Sequence, residues 1–166
     1  MSRLDPAELG RRLDQILGAA ERMIREVPED AMDDSLRTTS FRLFRLGLGF
    51  ADGMDLGRVP EAWREEAAPA DLRDGAAVAR YGALVRGRLA GWFEGAAPGE
   101  FARVIAVHDG PQSGQGLLER VTGEAARRLR LLHEALVAGG RAPRESLPSA
   151  ALEGLPVAAP LWLPRD

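Results

Sequence analysis

The sequence predicts an all-α protein: a four-helix bundle with one short extended segment and a proline-rich C-terminal tail packed on it. Three observations carry this. Four separate stretches hold apolar residues at three- and four-residue spacing, the mark of a helix with one buried face. Each stretch is bounded by residues that start or stop helices. No internal repeat appears and only one short apolar run reads as extended, so helices must bury their apolar faces on one another.

The first helix begins at Asp5-Pro6, an N-cap followed by proline at the first helical position. Leu9, Leu13, Ile16, Leu17, Ala20, Met23 and Ile24 form its stripe, and Pro28 ends it. The second runs from about Ser35 to Met54, with Phe41, Phe44, Leu48 and Ala51 on one face; it closes in Gly53 and Gly57. The third starts near Asp71 or Asp74 and continues to Trp92 or Glu94, with Val78, Tyr81, Val85, Leu89 and Trp92 aligned. Its glycines, Gly82, Gly87 and Gly91, each cost about 1 kcal/mol of helix propensity, which close helix contact would explain. Arg103–Val107 is the extended segment, turning at Asp109-Gly110. The fourth helix spans about Gln115 to Ala138 and stops at Gly139-Gly140. From Arg141 onward five of the eleven prolines rule out a long helix. Leu152, Leu155, Val157, Leu161, Trp162 and Leu163 are nonetheless too apolar for a disordered tail.

At 166 residues the chain is one domain, the bundle over about 5–140 and the tail over 141–166. A net charge of −3 gives no basic face for nucleic acid, and no apolar run reaches the ~20 residues that span a bilayer. The first residues lack the apolar stretch of a signal peptide, so a cytoplasmic location is expected. There is no cysteine, which removes disulfides, thiolate nucleophiles and cysteine-based metal sites. Lysine is absent too, excluding a Schiff base or a lysine-bearing phosphate loop.

The stretch Phe41-Arg42-Leu43-Phe44-Arg45 and the run from Leu117 to Arg130, which reads LLERVTGEAARRLR, resemble one branch of the DinB-like superfamily. The Trp63 loop, the Tyr81–Trp92 helix and the Gly154-Leu155-Pro156 ending are similar as well. The resemblance implies a four-helix bundle and, in relatives, three histidines holding a divalent metal for hydrolysis or for transfer of a small thiol. Those histidines would stand at the places of Arg42, Glu124 and Arg128. Arginine has no lone pair to donate at neutral pH, so neither metal nor any other cofactor is expected here.

Glu124 and Arg128 form an i,i+4 pair with the acid first. They fall on the stripe Leu117, Val121, Glu124, Arg128, Leu131, Ala135 and so are expected to face inward. With Arg42 opposite, two cations would flank one carboxylate. That arrangement reads either as an ion-pair plug in a dead site or as a receptor for an anion. Tyr81, the only tyrosine, is expected in the core with its hydroxyl near the cavity. His108, beside Asp109, is a candidate general base together with Glu124; His133 is expected near the surface at the end of the fourth helix. Three functions stay open: a metal-independent small-molecule-binding or accessory protein with an arginine-lined pocket, a metal-independent enzyme acting on an anionic molecule, and a divergent thiol S-transferase. A small anion and a second copy of the chain are the partners this reading allows.

Overall fold

The computed structural model describes residues 3–156 and Leu161, and is mostly helical. Its long helices are α1 (Pro6–Ile24), α2 (Asp34–Leu56), α3 (Gly75–Gly95) and α4 (Gly114–Ala138). Capping fixes their starts. The side chains of Asp5, Asp33, Asp74 and Ser113 each accept a hydrogen bond from a backbone N–H three residues on, satisfying a donor the helix leaves free. Gly57, with φ of 76°, ends α2 in the left-handed conformation that suits glycine.

The connections set the directions. Gly75 N–H donates to Val27 O at 2.7 Å, so α3 begins where α1 ends. Arg37 Nε donates to Leu72 O at 2.8 Å, which places the start of α2 at that same end. Thus α2 and α3 run parallel, and residues 57–74 carry the chain back along the molecule. Gln115 Nε2 donates to Leu4 O at 3.0 Å, so α4 runs parallel to α1. α1 and α2 each pack against both α3 and α4, while α1 and α2 themselves lie across a diagonal. The core fills the space between, with Leu13, Ile16, Phe41, Phe44, Phe50 and Leu118 fully or almost fully buried.

The extended segment becomes an antiparallel hairpin of β1 (Val104–Val107) and β2 (Gly110–Ser113), registered Val104 to Ser113 and Val107 to Gly110. The second strand, which contains Pro111, carries no strand pattern of its own; pairing makes it extended. Val59 N–H donates to Ala106 O at 2.8 Å and ties the end of α2 to this hairpin. A one-turn helix, α5 (Ser149–Leu152), interrupts the tail, with Ala151 and Leu152 buried. Leu161 is buried as well. Val157, Trp162 and Leu163, also expected to pack, lie outside the described residues.

One helical face needs correction. On α4, Leu131 is 42% exposed and Ala135 is exposed, whereas Ala125, Leu129, Leu132 and Leu136 are buried. The buried face of α4 centres on Leu118, Ala125, Leu129, Leu132 and Leu136, about 60–120° round the helix from Leu117 at about 100° per residue, so the expected stripe runs along the edge of that face, where Leu131 and Ala135 meet solvent.

Candidate functional site

Glu124 sits near the middle of α4 with its side chain only 2% exposed. A buried carboxylate needs partners for both oxygens, and both have them. Oε1 accepts from Arg128 Nη2 at 3.0 Å and Nε at 3.3 Å, with Arg127 Nη2 farther off at 3.5 Å. Oε2 accepts the backbone N–H of Leu161 at 3.0 Å. The carboxylate therefore joins a helix cation to the tail, a link across 37 residues of chain. Arg128 is itself largely shielded, and burial draws its guanidinium below the usual arginine range, with the charges of Arg127 and Arg42 adding to the effect and Glu124 opposing it.

Arg42 occupies a different position from the one its spacing suggested. Its side chain is exposed, and it makes no hydrogen bond to Glu124. It lies near enough to act on Arg128 through its charge alone. The centre is thus one buried carboxylate, one half-buried cation bonded to it, and an exposed cation at the rim.

The arginine that α2 does bury is Arg45, three residues beyond Arg42. Its side chain is 8% exposed, its Nε donates to Glu66 at 2.6 Å, and its guanidinium lies 4.4 Å from the centre of the Trp63 ring. Nη1 is buried without a hydrogen-bond partner among the described residues. Tyr81 belongs to this side of the molecule. It stacks on Phe41 at 5.4 Å and meets Phe44 edge-on at 6.3 Å. Burial pushes its hydroxyl up to about 12, Arg45 opposes the rise, and Glu66 and Asp52 add to it. The sequence does hold a signal for Arg45: positions 41, 44, 45 and 48 share one helical face, and the arginine at i+4 of that stripe has to be accommodated there.

His108 and Asp109 form the hairpin turn, but not a working pair. Asp109 is taken by the buried Arg120 of α4 in a two-pronged ion pair, 3.0 Å on each arm, which holds its carboxyl below the usual range. Both ring nitrogens of His108 are shielded from solvent and have no hydrogen-bond partner among the described residues. His133 is half-buried. The Arg120–Asp109 pair clamps the hairpin to α4, which is a structural task.

The groups at Arg42, Glu124 and Arg128 do not suit a metal. Two are cations, and the third has both oxygens engaged. Among the described residues no three His, Cys, Asp or Glu side chains gather to hold one elsewhere. A cleft of about 460 Å³ lies past the C-terminal ends of α1 and α4, lined by Arg22, Arg25, Arg141 and Arg144 with Glu26 and Glu145. Arg22 and Arg25 lie at the C-terminal end of α1, where cations offset the helix dipole, and Arg22 is paired to Glu145 at 2.8 Å.

Comparison with family models, with curated proteins and with solved structures gives no match. Among the described residues no helix is long and apolar enough to cross a membrane.

Proposed function

We propose that this chain is a DinB-like four-helix bundle that has exchanged its metal site for an ion-pair centre and binds a small anionic molecule at the rim of that centre, without a metal. The observation that carries this is the charge balance around Arg128. The charges of Arg127 and Arg42 both bear on Arg128, and the buried carboxylate of Glu124, paired with Arg128 and Arg127, stands against them. Arg42 is exposed and so within reach of a carboxylate or phosphate, for which arginine offers a planar fork of donors.

A purely structural reading has its own support in the Leu161 N–H bond, which makes Glu124 a clasp for the tail. Proton transfer by Glu124 has less, because both of its oxygens are occupied.

Binding is tested by calorimetry and thermal melts with inorganic phosphate and succinate. Saturable stabilisation is expected, about 1.4 kcal/mol at tenfold the dissociation constant, and it should vanish in Arg42→Ala. Absence of saturation, or saturation that ignores this substitution, overturns the reading. The family resemblance is tested separately. Arg42→His, Glu124→His and Arg128→His together should create a zinc site, and a folded triple variant that takes up no zinc would show that these positions do not correspond to the family's ligands.

A further inference from the structure

The outward face of α3 differs from its inward faces in a way the single chain does not explain. Inward, Gly82 has a reason: a Cβ there would lie 2.5 Å from the Phe44 ring. Gly87 and Gly91 have none, since a Cβ on either would meet nothing within 4 Å. Glycine in an exposed helix interior weakens the helix, yet here two stand one turn apart beside Leu84, which is 74% exposed. At about 100° per residue, Arg80, Leu84, Gly87, Ala90, Gly91 and Glu94 all fall within roughly 60° of Gly87, and all are exposed.

Charge on this face is unspent. The arginines of α3 that lean toward its neighbours are paired within the chain, Arg86 with Asp14 and Glu21, and Arg88 with Asp52 and Asp55. Arg80 and Glu94, at the two ends of the exposed face, make no ion pair among the described residues. They lie seven residues before and seven after Gly87. We propose that this face docks against the same face of a second copy, the two α3 helices antiparallel with Gly87 on the two-fold axis. Arg80 then stands opposite Glu94 of the partner, twice over, and Leu84 fills the space left by the partner's Ala90 and Gly91. A parallel arrangement would set arginine against arginine and glutamate against glutamate, so the charges select the antiparallel one. The absence of side chains at Gly87 lets the backbones approach.

The face is about 27 Å long over residues 76–94 and about 10 Å wide, so each copy covers on the order of 300 Å². Stable interfaces bury about 800 Å² per partner. The dimer therefore falls in the small, transient class of interfaces and is expected to be weak and reversible.

Sedimentation of the full chain from about 10 µM to about 1 mM tests this, with circular dichroism melts as the control for folding. A concentration-dependent dimer is expected. Arg80→Glu or Glu94→Arg alone should weaken it about tenfold or more, and the double exchange should restore it. Gly87→Glu should abolish it without lowering the melting temperature, because that position touches nothing within the chain. A monomer throughout overturns the proposal. So does a dimer indifferent to these changes, or single exchanges that weaken association without rescue by the double exchange.

Discussion

Two buried charges, Glu124 on α4 and Arg45 on α2, are stabilised in different ways. Each oxygen of Glu124 meets a donor that is itself shielded: Arg128, 18% exposed, and the N–H of buried Leu161. Arg45 lies on α2 and depends on Glu66, whose side chain is 44% exposed, together with the face of Trp63. One of its donors, Nη1, has no partner among the described residues. The first centre is closed on both sides. The second opens toward water through its counter-ion. Removing one member of a closed pair strands the other in a medium that cannot solvate it; removing an exposed member lets water take its place.

The largest expected effect breaks the closed centre. Glu124→Ala should cost about 3–5 kcal/mol in a urea melt, since it leaves Arg128 without its counter-charge and Leu161 N–H without its acceptor. Added chloride or sulfate should recover part of the loss by occupying the vacated place. A melt within about 0.5 kcal/mol of the original, as for an exposed helix pair, would remove the distinction between the two regions.

A smaller effect sharpens the description of the open side. Tyr81 is the sole tyrosine, so absorbance near 295 nm follows it alone. Its folded value of about 12 stands above the ordinary 10. The stabilisation from keeping the hydroxyl neutral is therefore complete below pH 10 and lost as pH rises from 10 to 12. Because the ring is partly solvated, the loss should come to about 1–2 kcal/mol rather than the full equivalent of the shift. In Arg45→Met the midpoint should move further up, since the Arg45 charge now holds it down. A native midpoint near 10 would place Tyr81 in water.

The smallest effect is expected at the exposed counter-ion. Glu66→Gln should cost about 1 kcal/mol or less, with the Trp63 ring continuing to cover the guanidinium. A loss of about 3 kcal/mol in a chemical melt would mean that Arg45 is as closed as Glu124.

The helices were legible because their signals are local. Asp5-Pro6, Asp74 and Gly139-Gly140 act through hydrogen bonds and φ angles within a few residues of themselves, and the α1 stripe runs at the helical period. The Glu124–Arg128 pair was legible for the same reason, being four residues apart on one helix. Arg42 and Arg45 differ by less than a turn; the stripe of Phe41, Phe44 and Leu48 favours Arg45, and the way α2 rolls against α3 and α4 decided that Arg45 is buried and Arg42 is not. The Arg120 clamp on Asp109 and the clasp of Glu124 on Leu161 close over 11 and 37 residues. Such contacts belong to the assembled fold, since a side chain's partner across that distance is set by where other helices bring the chain, which neither spacing nor propensity encodes.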